Sequence, residues 1–481
     1  MFCRYFFLII LTNFIIAGTI NIPNDYSEIQ MGINISEHGD TILVEPGVYS
    51  ENINFSGKNI IVISSMGPEV TEIVSVGTGA AVTLNSNESH PAEFSGFKIE
   101  GAFSNSNGGA IHVYESSVFF KNLIIQYNAA FNMGGGIYIN GGEQIFYLCK
   151  IKYNEIGDTN GGGIYCINSN LILDSCQISN NHSPKNGGGL YLNNSDVEVI
   201  NSIITFNNEN ADAGNPMPSP KGGGIYAYQT NLLVSNCIIN NNESYGPGGG
   251  IYAQESNVEI EKTELCKNSS LYYWQDAQGG AASFYNSDVF INQVTATDNI
   301  SNSLQQYNSD GFIFRGSSAG IVVNSIIYNN EDVEIRLIDN SCLNIDYSDI
   351  LGDVDNILGN SLNCLEYGNN NIDNPPQFID LTNDNYGLSQ NSPCIDLGTA
   401  DIDDDGIYDI IEFSGISPDM GAHEFILNTD LNSDGFLNIL DIIVLVNCIL
   451  DAICNDGYDL NLDGNIDILD IYQAVLILLQ Q

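Results

Sequence analysis

Positive charge is almost missing from this chain: 12 lysines and arginines stand against 59 aspartates and glutamates, a formal charge of −47. Such a surface repels a phosphate backbone, which excludes nucleic acid as a natural partner. Polyuronates would be repelled as well unless bound cations bridged the two polyanions. Tryptophan occurs once and histidine five times, which leaves little material for imidazole chemistry. After residue 16 no apolar run is long enough to cross a bilayer, so no membrane span is expected. Of the 11 cysteines, none has metal-ligand spacing.

Glycine, by contrast, is abundant and ordered. The phrase GGGIY opens at Gly134 and returns at Gly161, Gly187 (as GGGLY), Gly222 and Gly248, with weaker copies at Gly108, Gly279 and Asp310. Starts separated by 26, 27, 26, 35, 26, 31 and 31 residues describe a stacked array of one unit with occasional insertions. With the first residue of each copy counted as zero, offset 3 runs from Ile111 through Ile137 and Ile164 to Ile313. Offset 12 runs from Phe120 to Val322 and offset 17 from Ile125 to Ile327. These apolar columns sit in short alternations such as Val197-Glu198-Val199, which predicts three strands per coil with one face buried.

Offset 20 is asparagine in every copy: Asn128, Asn154, Asn181, Asn207, Asn242, Asn268, Asn299 and Asn330. Asparagine tolerates a left-handed corner, and its amide can both donate to and accept from the same residue one coil away, so a stacked column becomes a ladder. Offset 8 is serine or threonine except at Gly142. Strands and corners repeating every 26 or so residues make an all-β solenoid, a parallel β-helix with the right-handed crossover that parallel strands adopt by default.

The GG-x-I and I-x-x-N pair resembles the repeat of polymorphic outer-membrane proteins and of bacterial right-handed β-helix proteins. The run GDTILVEPGVYSENINFSGKN, from Gly39 to Asn59, is similar to the first coils of pectin-lyase-like proteins. The resemblance covers roughly residues 20 to 425 and implies a fold far more than an activity.

Residues 1–18 combine Arg4, an apolar run from Tyr5 to Ile16 and the small residues Ala17 and Gly18, the pattern of a cleaved secretory signal. A secreted or extracellular location is therefore expected, and loss of Arg4 takes the formal charge from −47 to −48. Residues 19–38 read as an N-terminal cap, with Tyr26, Ile29 and Ile33 on one helical face covering the first coil. Regular coils span 108–333 within a β-helix of 19–425. Insertions at 208–221 and 269–278 project from one corner, where rigid scaffolds usually carry binding loops. Cys149, Cys176 and Cys237 share offset 15 and read as small fillers of a stacking column, whereas Cys342 with Cys364 and Cys448 with Cys454 are plausible bridges.

Offset 4 lies between inward columns and is expected to face out: His112, Tyr138, Tyr165, Tyr191, Tyr226, Tyr252, Ser283 and Phe314. Together with Trp274 these rings form either a carbohydrate platform or a column packed on itself. No catalytic residue is assigned. A β-helix lyase needs a lysine or arginine base beside calcium-bound carboxylates, and a hydrolase needs clustered acids on one face. Arg315 and Arg336 are the only arginines after the signal, no Asn-Thr-Asp, Gly-His-Gly or Arg-x-Lys cluster of the polygalacturonase kind occurs in the trunk, and His112 and His182 show no evident partner.

Residues 334–425 close the trunk. Within them Asp401, Asp403, Asp405, Asp409 and Glu412 hold positions 1, 3, 5, 9 and 12 of an EF-hand-like loop with Gly406 at 6, either a calcium-stapled loop or an acidic turn. The tail, 427–481, repeats that grammar. Asp430, Asn432, Asp434, Asn438 and Asp441 fill positions 1, 3, 5, 9 and 12, and Asp459, Asn461, Asp463, Asp467 and Asp470 fill them again 29 residues later. Oxygens at these spacings wrap one hard cation, and the expected cofactor is calcium. An apolar helix follows each loop, Ile442 to Leu450 and Ile471 to Leu479.

This duplicated loop-helix resembles a type I dockerin, a small α-helical calcium-binding domain. The resemblance implies a cohesin partner on a scaffold or surface protein, with contacts at loop positions 10 and 11, here Ile439-Leu440 and Ile468-Leu469. The pair is identical in both copies, so two docking orientations are open, as is the alternative that these residues belong to the core. The reading that follows is an exported β-helix, associated with the cell surface through its partner and bound to polysaccharide. A polysaccharide lyase or glycoside hydrolase, and a surface adhesin or structural spacer, stay open beside it.

Overall fold

The computed structural model describes residues 17–209, 220–271, 278–301, 311–425 and, in the tail, 431–432, 438–451, 454, 458, 460 and 465–480. The chain divides into one unit that ends at Asn374 and a second that begins at Pro375.

In the first unit each strand pairs in parallel, residue for residue, with its counterpart one coil later: Ile137 with Ile164, Ile164 with Leu190, Leu190 with Ile225. Parallel pairing starts where Thr19–Ile22 meets Thr41–Val44 and reaches a bridge between Asp349 and Ile372. The trunk is thus a parallel β-helix whose lumen is filled by the predicted columns. Ile137, Phe146 and Ile151, from offsets 3, 12 and 17, are all 0 % exposed. Burying one such side chain contributes about 1.5–3 kcal/mol, and the stack repeats it coil after coil.

The strands expected at offsets 3, 12 and 17 are present, and several coils add a fourth, while in others the second and third run together as Asn257–Cys266 and Asp288–Thr297 do. In the second regular coil the strands are Ile137–Asn140, Glu143–Tyr147, Lys150–Lys152 and Glu155–Ile156. The middle two belong to one 24-stranded sheet, the first to a 12-stranded sheet and the last to an 8-stranded one. The fourth strand has only two residues, too few to show a period in sequence.

Corners also fall one residue from where asparagine suggested. Left-handed backbone occurs at Tyr127, Tyr153, Asn180, Phe206, Asn241, Lys267, Asp298 and Asn329, each immediately before a ladder asparagine. That turn swings the next side chain inward, and all eight ladder asparagines are at most 4 % exposed. The ladder itself is formed: the backbone N–H and Nδ2 of Asn154 both donate to Oδ1 of Asn181, at 3.0 Å each, and Asn181 repeats this toward Asn207. A second ladder runs through offset 8, where Ser169 N–H donates to Ser195 Oγ and Ser256 N–H to Ser287 Oγ.

Gly187 has φ +69°, and a Cβ on Gly188 would sit 2.5 Å from the carbonyl oxygen of Asn208, so the glycine corner is a point of backbone contact between coils. The last copy slips by one residue in its first strand. Phe312 and Phe314 pair with Ala282 and Phe284 on the inward side, and Ile313 pairs with Ser283. Phe314 is therefore a lumen residue, and Ile313 takes the outward place expected of Phe314.

Helix α1, Ile29–Ile35, caps the stack with Ile29 and Ile33 wholly buried, while Tyr26 lies before the helix and is 37 % exposed, outside the expected face. Both expected bridges are present, Cys342–Cys364 and Cys448–Cys454, and Cys149, Cys176 and Cys237 are buried free thiols. Cys176 N–H donates to Ser202 Oγ and Ser202 N–H to Cys237 Sγ, which is the column-filling role expected at offset 15.

The second unit opens with an antiparallel pair, Phe378–Asp380 with Asn385–Leu388. Its tail contains helices α2, Ile439–Asp451, and α3, Ile468–Gln480. Both begin three residues before the expected starts. Ile442, Leu445, Leu460 and Ala474 are the buried residues of a small core there.

Candidate functional site

Three places gather the chemistry read from the sequence, and a fourth was not foreseen. The tyrosine column at offset 4 lies on the strand face opposite the lumen, yet Tyr138, Tyr165, Tyr191, Tyr226 and Tyr252 are only 3–9 % exposed. Successive rings stack with centroids 4.6–5.6 Å apart and planes within 18°. His112 packs on Tyr138 at one end, and Lys221 lies over Tyr252 with its Nζ 4.5 Å from the ring centroid. Each ring face is thus occupied by a neighbour, and burial raises the phenols of Tyr165 and Tyr191 above their ordinary range. An open platform of rings is not what this column presents; Trp274 lies outside the described residues, as does most of both insertions.

The histidines also have partners that the sequence did not show. His112 Nδ1 lies 3.2 Å from the carbonyl oxygen of Asn107, and His182 Nδ1 lies 2.7 Å from Asn208 Oδ1. Burial lowers the His112 imidazole below its usual range, so it stays neutral near pH 7.

In the second unit the carboxylates of Asp401, Asp403 and Asp405 come within 4.8 Å of one another. Asp401 accepts from the N–H groups of Asp405 and Gly406, and Gly406 has φ +87°. Asp409 Oδ2 accepts from Ile402 N–H at 2.8 Å, while Glu412 is exposed and outside the cluster. Three of the five expected ligands are therefore brought together, in a loop without flanking helices.

In the tail the described residues of the two copies share one pattern. Asn438 Oδ1 accepts from Leu440 N–H and Asp467 Oδ1 from Leu469 N–H, each 2.8 Å, so the residue at loop position 9 caps its helix. Asp441 and Asp470, at position 12, are both 0 % exposed. The carboxylate of Asp441 accepts from Asn432 and Asn438 N–H, and that of Asp470 from Leu460 and Asp467 N–H. Burial pushes the Asp441 carboxyl up, but the N–H groups of Asn438 and Asn432 outweigh it and hold it below the ordinary carboxylate range. Both carboxylates thus accept from backbone N–H groups of their own loops. Asp430, Asp434, Asp459, Asn461 and Asp463 lie outside the described residues. Ile439, Leu440, Ile468 and Leu469 are 59, 51, 73 and 51 % exposed, so the position 10 and 11 pairs are surface, not core.

Along the trunk, the outward face of the large sheet forms an open groove of about 800 Å³ running from Glu143 to Ile321. Its lining mixes apolar side chains such as Ile172, Leu233 and Phe290 with Glu143, Asp196, Glu198, Glu259 and Asp288, and contains no lysine, arginine or histidine. Sequence reading passed over it because attention went to inward columns; the signal was the outward residue of each alternation, Glu198 in Val197-Glu198-Val199.

Residues 80–269 match the family model described as right handed beta helix region. Over those residues the parallel β-helix of the trunk is similar to that right-handed family. No curated protein matches the chain. Among solved structures, it is similar to full-length tailspike protein 2 from Escherichia coli O157:H7 bacteriophage CAB120, at 12 % identity and a TM-score of 0.47, covering 67 % of this chain and 46 % of that one. The enzymatically active domain of bacteriophage CBA120 tailspike protein 2 gives 12 % identity and 0.44, covering 67 and 52 %. Pectate lyase Pel9A gives 15 % identity and 0.41, covering 82 and 90 %. The chain spans about half the length of the tailspike structures.

Proposed function

We propose that this β-helix is an exported polysaccharide-binding module held in an assembly by a calcium-dependent dockerin tail. The observation that carries the reading is the duplication in the tail: in both copies the position 12 aspartate is buried and turned into its loop, while the apolar pair at positions 10 and 11 is at least half exposed. A 55-residue tail with a small core gains little from burying these pairs when folded alone, whereas a partner surface would cover them. Calcium would neutralise the loop carboxylates and the Asp401, Asp403, Asp405 cluster, which otherwise repel. Cohesin is the partner this arrangement suits, and two equivalent faces allow docking in either of two orientations.

The glycan part of the reading rests on the groove, which replaces the tyrosine column as the surface offered to a chain-like ligand. Screening the full chain against a polysaccharide panel, for retention and for new reducing or unsaturated ends, tests it. Retention without product supports a binding module; product would turn the reading into a lyase or hydrolase, and neither would leave an adhesin or spacer.

A further inference from the structure

The groove deepens that reading, on which the following rests. Its central column, one residue per coil, is Ile172, Glu198, Leu233, Glu259, Phe290 and Ile321, each paired in register with the next. Acid and hydrophobe alternate from coil to coil between Ile172 and Phe290. Coils are spaced about 4.8 Å apart, so the two glutamates recur after about 10 Å. Both are exposed, and Ile172, Leu233 and Phe290 between them are half-buried.

Alternation spares the solenoid from stacking like charges on neighbouring coils. Asparagine would achieve that without charge on its own coil, and in the column beside this one, Glu143, Asn170, Asp196, Asn231, Asn257 and Asp288, it separates the acids: Asn231 donates to Asp196 and Asn257 to Asn231, at 2.6 and 2.8 Å. The charge is therefore an addition that the fold does not require.

We infer that the groove takes an extended, flat β-linked polymer of amino sugars with free amines, laid along the helix axis. In such a ribbon successive sugars are turned over, so that equivalent groups on one edge recur every two residues, a length close to two coils. Ammonium groups would meet Glu198 and Glu259, while the carbon faces of the sugars lie on Leu233 and Phe290. A polyuronate would place carboxylate against carboxylate in a groove without a cation.

The test uses the full chain in calcium and calorimetric titration with soluble hexamers of β-1,4-linked glucosamine, β-1,4-linked glucose and α-1,4-linked galacturonate, at mildly acidic pH where the amines are charged. Glucosamine should bind at least about tenfold more tightly than glucose, the scale of one or two partly desolvated charge pairs. Glu198→Gln with Glu259→Gln should bring glucosamine down to the level of glucose. Glu37→Gln with Glu69→Gln, which removes the same charge from exposed sites elsewhere, should change nothing. Phe290→Ala should weaken glucosamine and glucose alike. Equal loss from both glutamine pairs would reduce the effect to bulk charge and overturn the inference. Glucose bound as tightly as glucosamine would overturn it while leaving the glycan-binding reading in place, and no binding of any hexamer would defeat both.

Discussion

Asn330, the last rung of the asparagine ladder, turns to Glu334 where the earlier rungs turn to the next asparagine: its backbone N–H reaches Oε1 at 3.2 Å and its Nδ2 reaches Oε2, while Nδ2 also donates to the carbonyl oxygen of Ala296 at 3.1 Å. Glu334 is 0 % exposed. A carboxylate offers two acceptors and no donor, which is what the open end of a donor-terminated ladder needs. Glu334→Gln would turn one acceptor into a donor facing a donor, and the trunk should lose about 1–3 kcal/mol. Thermal unfolding of the trunk checks this, with Glu331→Gln, on the exposed surface, as the control expected to be neutral.

Asn181→Leu should cost the trunk about 2–4 kcal/mol, because it removes the acceptor for Asn154 and the Nδ2 donors to Asn207 and Ile151 while leaving their partners buried. Asn140→Leu, outside the column, should cost far less. Chemical denaturation of the two variants side by side decides between them.

Much of this fold could be read in advance because it repeats. A column such as Ile137, Ile164, Leu190 is a statement made once per coil, and noise in one copy is corrected by the others. The ladder was legible from chemistry repeated in every coil: the asparagine amide both donates and accepts in a stack. The left-handed corners were misplaced by one residue because the residues that adopt them include Tyr127, Tyr153 and Phe206, whose types do not announce that backbone. The tyrosine column was legible as outward, with self-packing as one of its two readings, and the rings do stack on one another; the cover that Lys221 adds from a neighbouring insertion was not legible. The groove was missed because its residues differ from coil to coil, so no single column repeats.

Asp419 should titrate far from an ordinary aspartate. Burial pushes its carboxyl up to about 7, against the N–H groups of Asp396 and Phe425 that pull it down, with Glu424 and Asp396 adding negative charge nearby. A raised folded-state pKa means that this group's contribution to stability is complete below about 4 and is lost as pH rises toward 7. Carboxyl-carbon NMR should find the Asp419 midpoint near 7, and amide exchange of residues 414–425 should quicken over the same interval. A midpoint in the usual aspartate range would refute the assignment.

Cys166 and Cys237 should resist alkylation in the folded protein, since burial pushes their thiols up to about 12 and about 11. Cys342, Cys364, Cys448 and Cys454 should react only after reduction. Mass analysis of iodoacetamide-treated protein, native and then unfolded, reads each site.

The most direct measurement is capture of the full chain by immobilised type I cohesins, in calcium and in excess chelator, beside Leu440→Asp, Leu469→Asp and the double variant. The account predicts capture in calcium, loss in chelator, partial retention by either single variant and loss by the double one, with the trunk's melting unchanged throughout. Capture that persists equally in chelator, or a panel from which no cohesin binds the calcium-loaded chain, would contradict the claim that this β-helix works as a docked part of an assembly.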